Sequence, residues 1–442
     1  MALFAGVAAA TLVLTSDVTA MAVALPTIQT DLGTDLTSAQ WVMNAYLIAF
    51  GMSIVTGGWL ADRLGARRTL IAGLAGFAVF AFIGGLAPSV WALIPARALQ
   101  GFAAGLIWPS VLALAFRGVG ADRRVLAVGI ALGAAGVGEA IGPLLGGLVT
   151  DGLSWRWILL AKPAVAAIAI AICARALADD RGRERLRVDV LGIALLSLAL
   201  FALLYALDEA VALGWGSARI LGALGIAAAA AAGFAVHERR AERPLFPREV
   251  RREPGLRDGA LLMAATAPFF FVALLYVPQL LATYLDYSPL ESGVAMLPMQ
   301  VSFAIVAPLC GVAASRLGLK APHVLGLFVM AASAAIFATF GSGDGYGTLL
   351  PAMLLYGVGV GLAYPAVTAL VMMALGTARA GLAAGSVFMV ELVTGGLAVA
   401  VATTLVATAD DFLAGLRAVM LGVAVLAVAG ALVALRVSPG RA

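Results

Sequence analysis

The chain has 442 residues, of which 63% are hydrophobic and 12% are charged, and its formal net charge is +4 at pH 7. An average soluble domain is about half apolar and about a quarter charged, so this chain has too few charges to cover a soluble surface. The composition excludes an ordinary cytosolic enzyme, a disordered chain and a nucleic-acid-binding protein, and it is typical of a protein dissolved in lipid.

Apolar runs separated by charged or Gly/Pro breaks predict an all-α integral membrane protein with fourteen transmembrane helices. A membrane-spanning helix needs about 20 mainly apolar residues. The predicted helices cover residues 3–25, 40–61, 69–87, 90–116, 124–149, 156–176, 189–208, 218–236, 257–284, 291–314, 322–341, 347–375, 380–408 and 412–435.

Basic residues concentrate in alternate connections between these helices. If the N-terminus lies in the cytoplasm, the inner connections include the Arg-rich stretches 175–187 and 239–257, whereas the outer connections hold only Arg156 and Arg219. Cytoplasmic connections of membrane proteins carry an excess of Lys and Arg. The sequence therefore predicts that both termini face the cytoplasm.

Two motifs occur twice in the chain at nearly the same spacing. GFAAGLIWP at 101–109 recurs as GVGVGLAYP at 357–365, and GWLADRLG at 58–65 recurs as GVAASRLG at 311–318. Paired repeats with a site between them near the bilayer midplane are typical of transporters that work by alternating access. The predicted 6+2+6 architecture has a six-helix bundle at 1–187, inserted helices 7 and 8 at 188–238, a cytoplasmic linker at 239–256 and a second six-helix bundle at 257–442.

Few ionisable side chains fall inside the predicted helices. Asp17, Glu139 and Glu391 lie near the middle of helices 1, 5 and 13, and Arg97 and Lys162 lie in the outer parts of helices 4 and 6. Burial disfavours the charged form of a carboxyl group, so these acids can bind and release a proton near neutral pH. The alternative is a structural ion pair with Arg97 or Lys162, or a Lys162 side chain that snorkels to the interface.

The predicted inner loop between helices 2 and 3 combines glycines with charges of both signs. Residues 58–68 read GWLADRLGARR. Glycine permits a tight turn, and the charges can pair with the ends of neighbouring helices. We predict a conformational latch at Asp62, Arg63, Gly65 and Arg67. If the Arg residues only set the orientation, Asp62 and the glycine spacing have no explanation.

Predicted helix 5 carries the motif GEAIGPLLGG at 138–147. Proline removes a backbone hydrogen bond and bends a helix, and glycine lets a second helix approach closely. A bent and closely packed helix between two bundles can act as a gate, but glycine and proline are also common in membrane helices generally. The candidate gate residues are Gly138, Gly142, Pro143, Gly146 and Gly147.

Taken together, four motifs resemble the major facilitator superfamily and, within it, the fourteen-helix drug:proton antiporter branch of multidrug efflux proteins. DVTAMAVALP at 17–26 is similar to the helix 1 signature of that branch, and residues 58–68 are similar to the superfamily's loop between helices 2 and 3. RALQG at 97–101 resembles the helix 4 motif, and residues 138–147 resemble the antiporter motif of helix 5. The resemblance covers essentially the whole chain.

The resemblance implies roles for several of these residues. Asp17 and Arg97 would take part in proton coupling, and Gly142 and Pro143 would shape the antiport gate. An acid in helix 13 of some polyspecific members supports a role for Glu391. The resulting candidates for proton coupling are Asp17, Arg97, Glu139 and Glu391, and Asp62, Arg63 and Gly65 would belong to the latch.

Three positions depart from the pattern of the family. Ala22 stands where the helix 1 motif usually has Asn, and Ser315 replaces an acid in the second copy of the loop motif. The start of helix 6 has Lys162 where a neutral Asn is usual. A lysine beside Asp17 or Glu139 is expected to alter the coupling or to favour a substrate with an anionic group.

The second bundle carries an aromatic run at 269–271, followed by Tyr276. Such rings can offer a wall to an apolar ligand, and lipid-facing or core packing is an equally good interpretation. We expect the first bundle to do the proton work and the second to supply much of the substrate surface. The candidate substrate-binding residues are Lys162, Phe269, Phe270, Tyr276 and Glu391.

The sequence predicts a proton-coupled exporter of amphipathic or hydrophobic small molecules across the bacterial cytoplasmic membrane. An exporter of lipids or specialised metabolites on the same scaffold is the alternative, and a transporter without proton coupling is less favoured. A membrane enzyme would need a cluster of His, Asp, Ser or Cys near an interface, which the sequence does not offer. We expect a monomer that uses the proton gradient, needs no cofactor or metal, contacts lipids and binds no nucleic acid.

Overall fold

The computed structural model describes residues 2–177, 189–242 and 244–436. Fourteen helices among these residues are long and apolar enough to cross a membrane, which confirms the predicted fold class. They are α1 (Ala2–Asp31), α2 (Ser38–Leu64), α3 (Ala66–Gly85), α4 (Val90–Arg117), α5 (Ala121–Thr150), α6 (Arg156–Ala176), α7 (Val190–Leu213), α8 (Ala218–Arg240), α9 (Pro254–Leu285), α10 (Leu290–Leu317), α11 (Lys320–Phe337), α12 (Tyr346–Leu375), α13 (Thr377–Thr408) and α14 (Phe412–Arg436).

Two helices differ from the predicted runs in ways that affect the site. Helix α1 continues through Pro26 to Asp31, whose carboxylate accepts a hydrogen bond from Trp155 Nε1 at 3.0 Å and pairs with Arg156. Helix α6 is interrupted at Ala161, where a short first segment meets a longer second one. The interruption places Lys162 at the first position of the second segment.

Helices α1–α6, which we call the N-terminal bundle, and α9–α14, the C-terminal bundle, pack in the same pairwise pattern. Helix α2 packs on α4 as α10 does on α12, and α1 packs on α5 as α9 does on α13. A Cβ atom at Gly101 would lie 2.1 Å from the Tyr46 carbonyl oxygen, and one at Gly357 would lie 2.3 Å from the Met299 carbonyl oxygen. The repeated motif therefore makes the same close helix crossing twice.

The two bundles meet along two matching helix pairs, α5 with α10 and α2 with α13. Helices α7 and α8 pack on each other, and α7 lies against α2 and α13. Ser197 on α7 donates a hydrogen bond to the Met52 carbonyl oxygen at 3.1 Å. The division into domains stays a prediction, and its boundary at 187/188 lies outside the described residues, as do the Arg residues of 181–187.

Candidate functional site

Asp17 lies in the middle of α1, fully buried, and contacts two basic side chains. Arg97 Nη1 on α4 donates a hydrogen bond to Asp17 Oδ2 at 2.6 Å. Gln100 Nε2 donates to Asp17 Oδ1 at 3.3 Å, and Lys162 Nζ on α6 lies 3.6 Å from the same oxygen. Both carboxylate oxygens therefore have partners. We call Asp17, Arg97, Gln100 and Lys162 the Asp17 cluster.

The basic side chains of this cluster are held by the surrounding helices. The Arg97 guanidinium lies 4.4 Å from the centre of the Tyr46 ring, and its Nε donates to the Val42 carbonyl oxygen at 3.3 Å. Lys162 Nζ also lies 3.4 Å from the Val13 carbonyl oxygen. Because Lys162 is only 8% exposed and faces the protein interior, the snorkelling alternative is wrong.

Glu139 on α5 and Glu391 on α13 belong to a second buried polar cluster. Glu139 lies against the Gln300 amide of α10, Glu391 lies against the Tyr364 hydroxyl of α12, and the two carboxyl groups interact electrostatically. Tyr356 of α12 interacts with both acids. Among the described residues, no Arg, Lys or His pairs with either acid. We call these five residues the acidic cluster.

Several polar atoms of the acidic cluster have no hydrogen-bond partner. They are Oε2 of Glu139, Oε2 of Glu391, Oε1 of Gln300 and the Tyr364 hydroxyl oxygen, and all four are buried. Buried polar atoms are normally paired, so an unpaired set of this kind is a candidate site for a proton or a ligand. Within the described ranges, no group of three or more His, Cys, Asp or Glu residues is placed to hold a metal ion.

The aromatic residues of α9 differ in what they contact. Phe269 is 1% exposed with its ring 5.4 Å from the Tyr356 ring, and Tyr276 is buried with its hydroxyl on a threonine of α13. Phe270 is partly exposed, and its ring centre lies 5.2 Å from that of Tyr364. Phe270 is therefore the candidate substrate contact, because it lies against the acidic cluster and is partly exposed. Phe269 and Tyr276 pack in the core.

Of the predicted latch residues, Asp62 at the end of α2 joins the two bundles. Its carboxylate accepts hydrogen bonds from the backbone N–H groups of Gly381 and Leu382, each at 2.8 Å, in the first α-helical turn of α13, which follows a 3-10 turn at Thr377–Arg379. It also pairs with Arg117 at the end of α4, whose Nε donates to the Thr377 carbonyl oxygen at 2.8 Å. The unpaired N–H groups and partial positive charge of a helix N-terminus favour a carboxylate at this place.

The other three predicted latch residues lie at the turn that follows α2. The Arg63 guanidinium lies 5.2 Å from a tryptophan ring, and Arg67 donates a hydrogen bond to the Ala174 carbonyl oxygen at the end of α6. Gly65 has a φ of +100° between α2 and α3, a conformation that favours glycine. The sequence did not point to Arg117, which contacts both Asp62 and α13.

Three glycines of the 138–147 motif bring α5 against α1. A Cβ atom at Gly138 would lie 2.0 Å from a threonine hydroxyl oxygen of α1, and one at Gly142 would lie 1.8 Å from another. A Cβ atom at Gly146 would lie 2.6 Å from the Ala20 carbonyl oxygen. Their spacing of four residues places them on one face of the helix. At these positions a side chain would separate α5 from the helix that carries Asp17.

The remaining motif residues, Pro143 and Gly147, face α10. Pro143 lies against Gly293 of that helix, and a Cβ atom at Gly147 would meet only the Leu290 Cδ1 atom, at 3.3 Å. Leu290 has a flexible side chain that can move aside. The motif thus contacts α1 in its own bundle and α10 in the other bundle.

These contacts predict opposite results for two neighbouring glycines. Gly146→Ala is expected to lower the free energy of unfolding by about 1–3 kcal/mol, because its methyl group meets the rigid backbone of α1. Gly147→Ala is the matched control and is expected to change stability little, because only the Leu290 side chain must move. Thermal unfolding of the purified variants in detergent measures both, and equal losses would contradict the packing described for Gly146.

Comparisons with known proteins agree with this architecture. Residues 7–399 match the Major Facilitator Superfamily. The chain is 36% identical over 403 residues to the tetracenomycin C resistance and export protein of Streptomyces glaucescens, covering 91% of this chain and 75% of that protein. It is 36% identical over 412 residues to the puromycin resistance protein pur8 of Streptomyces alboniger, covering 90% and 80%.

A solved structure with the same fold is that of the human organic anion transporter MFSD10 (TETRAN). The TM-score is 0.66, and the match covers 97% of this chain and 98% of that one. The sequences are 16% identical, so the likeness concerns the fold alone.

Proposed function

The chain belongs to the Major Facilitator Superfamily, and from this membership we propose that it is a proton-coupled exporter of amphipathic or hydrophobic small molecules. It is a multi-pass membrane transporter whose relatives include antibiotic resistance and export proteins. We place it in the bacterial cytoplasmic membrane as a monomer with both termini in the cytoplasm. Export proceeds by alternating access, in which the N-terminal and C-terminal bundles rock about a central site.

The observation that supports proton coupling is a set of carboxyl groups buried within the membrane-spanning helices. Asp17 has no exposed surface and Glu391 is 5% exposed. A charged group at this depth is costly, and such groups in transporters mark proton or substrate pathways. A proton that crosses 100 mV supplies about 2.3 kcal/mol. We assign coupling to Asp17, Arg97, Glu139 and Glu391, with the proton gradient as the energy source and no cofactor.

The proposed substrate surface lies where the acidic cluster meets the aromatic residues of α9. Phe270 can contact an apolar face of a ligand, and Glu391 can contact a polar or cationic group. In this conformation Lys162 is already engaged by Asp17, so an anionic group would have to compete with that carboxylate. We therefore propose Phe270 and Glu391 as the first substrate contacts.

An exporter of a specialised metabolite is the second candidate. It is favoured by the relative named for resistance to and export of tetracenomycin C, an activity that belongs to that protein. The two candidates share the scaffold and the proton coupling, and they differ in how many compounds are accepted. A single transported compound among many tested supports the metabolite exporter, and a broad range supports multidrug export.

Purified protein in liposomes tests the proposal. Vesicles that contain a pH-sensitive dye receive puromycin, tetracenomycin C or ethidium in turn, and both internal pH and compound uptake are recorded. We expect compound movement to be accompanied by proton movement in the opposite direction. Compound movement without a change in internal pH would contradict antiport. If none of the compounds moves and a fluorescent lipid does, the protein is a lipid transporter instead.

A further inference from the structure

The two buried clusters differ in their balance of acidic and basic side chains: the Asp17 cluster has two basic groups for one carboxyl group, and the acidic cluster has two carboxyl groups and no basic partner among the described residues. We propose that the coupling proton resides on Glu139 and Glu391 of the acidic cluster, while Lys162 keeps Asp17 ionised throughout the transport cycle. The inference rests on the proposed proton-coupled export and assigns its proton to one place.

Asp17 has more positive charge around it than it can neutralise. One carboxylate faces the guanidinium of Arg97 and the ammonium of Lys162, so the cluster carries one excess positive charge when Asp17 is ionised. A proton on Asp17 would raise that excess to two charges in a site where Asp17 and Arg97 have no exposed surface. Both carboxylate oxygens already accept hydrogen bonds, and these favour the ionised form. Protonation of Asp17 is therefore disfavoured.

Lys162 also changes what happens if Arg97 moves away during transport. With a single basic partner, departure of Arg97 would leave the carboxylate alone, and a proton would then neutralise it. Here the ammonium of Lys162 stays on a different helix, α6, 3.6 Å from Asp17 Oδ1. The ammonium takes the place that the proton would occupy, and Asp17 keeps its charge.

The acidic cluster has the opposite imbalance. Two ionised carboxylates would place two negative charges in the interior, and no described Arg, Lys or His faces them. The titratable groups that face them are the hydroxyls of Tyr356 and Tyr364. Each proton bound here brings the cluster closer to neutrality, whereas each proton bound at Asp17 takes its cluster further away.

The unpaired atoms of the acidic cluster also favour a bound proton. Glu139 Oε2, Glu391 Oε2 and Gln300 Oε1 are all hydrogen-bond acceptors, and none of them accepts a hydrogen bond of normal geometry in this conformation, although the Gln300 amide and the Tyr364 hydroxyl lie beside the two acids. A protonated carboxyl group is a donor as well as an acceptor. A bound proton thus removes a charge and adds a donor to a cluster with several unpaired acceptors in one step.

The position of the two acids connects proton binding to the movement of the bundles. Glu139 is on α5 of the N-terminal bundle, and Glu391 is on α13 of the C-terminal bundle. Loss of the proton adds repulsion across the interface between the bundles, and its return removes that repulsion. A ligand that binds two conformations unequally shifts their populations, and a proton at this place meets that condition.

Infrared spectra of the ligand-free protein test whether the proton lies on the glutamates. The C=O stretch of a buried protonated carboxyl is recorded for wild type, for Glu139→Gln/Glu391→Gln and for Asp17→Asn/Lys162→Met. The second double variant removes one charge of each sign, so the net charge of the Asp17 cluster is unchanged. We expect the band to persist in that variant and to vanish in the first. Loss from the Asp17 variant with persistence in the glutamate variant would overturn the inference.

Two single hydroxyl deletions provide a check that removes no charge. Tyr364→Phe takes away the hydroxyl beside Glu391, and we expect the frequency of the band to shift. Tyr46→Phe, next to Arg97, is the control and is expected to leave the band in place. A shift in the control alone would place the proton at the Asp17 cluster and overturn the inference.

The liposome assay separates a failure of this inference from a failure of the proposed function. Wild-type transport without proton movement contradicts antiport, whatever the spectra show. If wild type moves protons, Glu139→Gln and Glu391→Gln are expected to reduce proton movement per transported compound at least tenfold. If instead only Asp17→Asn/Lys162→Met removes proton movement, antiport stands and the assignment to the glutamates is wrong.

Discussion

Asp17→Asn is expected to lower the free energy of unfolding by about 3–5 kcal/mol, which is the usual cost of breaking a buried ion pair by removing one partner. The substitution leaves Arg97 and Lys162 side by side without a carboxylate, and Arg97 is completely buried. Two uncompensated cations would repel each other across α4 and α6, and we expect export to be lost together with stability.

Cys173 and Cys310 provide a convenient measurement of this loss. Both are free and completely buried, so a thiol-reactive dye labels them only when the protein opens. The temperature at which the dye begins to label the heated protein in detergent is expected to fall strongly in Asp17→Asn. Neither cysteine belongs to the Asp17 cluster, so the labelling reports opening of the bundles rather than a local change at Asp17.

The controls for Asp17→Asn vary the charge rather than the shape of the cluster. Lys162→Met alone leaves a neutral Asp17–Arg97 pair and is expected to change stability little. Asp17→Asn/Lys162→Met leaves one cation and is expected to recover part of the loss. If Asp17→Asn labels at the wild-type temperature, the excess positive charge does not control the stability of the site.

The fold could be predicted from the sequence because lipid imposes one dominant requirement. Each span must be a long apolar helix, and the repeated motif at 101–109 and 357–365 shows how two such helices cross. Helix ends are set by other contacts. Helix α1 runs past its predicted end because Asp31 contacts Trp155 and Arg156, which lie more than a hundred residues away in the chain.

The charged members of the site could also be found, because an ionisable residue in an apolar run is conspicuous. Their partners could not. The sequence left open whether Lys162 would meet Asp17, meet Glu139 or snorkel, since that choice depends on where the break at Ala161 turns α6. Gln300 is uncharged and lies in an apolar run, so nothing in the sequence distinguished it from core.

One signal for the missed residues was present in the repeat. Tyr364 occupies in the second motif the place of Trp108 in the first. Both side chains have a buried polar atom without a hydrogen-bond partner. A large aromatic residue with a polar atom at the same point of two repeated glycine-rich helices is a reason to expect a binding site at that level of the membrane.

Asp62→Ala is expected to open the predicted cytoplasmic side of the protein. The substitution removes the acceptor of two N–H groups in the first turn of α13 and the partner of Arg117. Hydrogen bonds to a charged group contribute about 1.5–3 kcal/mol each, and they hold the bundles together here in one conformation only. We expect the balance between access states to shift about 5- to 150-fold, as for a coupling of about 1–3 kcal/mol.

A cysteine at Ser386 can report this opening. Ser386 is 3% exposed and lies one residue after Gly385, which packs on the backbone of α2. In a background without Cys173 and Cys310, labelling of Ser386→Cys by a membrane-impermeant reagent should become faster in Asp62→Ala by the same factor. Export should fall, because the protein leaves the closed state too readily.

The nature of the latch follows from two further variants. Asp122→Ala removes an acid from the start of α5 on the same side, where its side chain is 79% exposed and contacts Arg123 at 3.7 Å, so it should leave the labelling rate unchanged. Asp62→Asn keeps one acceptor oxygen for the helix N-terminus but loses the charge opposite Arg117. An intermediate rate means that capping and ion pairing both hold the bundles. A rate equal to that of Asp62→Ala assigns the closure to charge, and a wild-type rate in both variants would show that the bundles are held elsewhere.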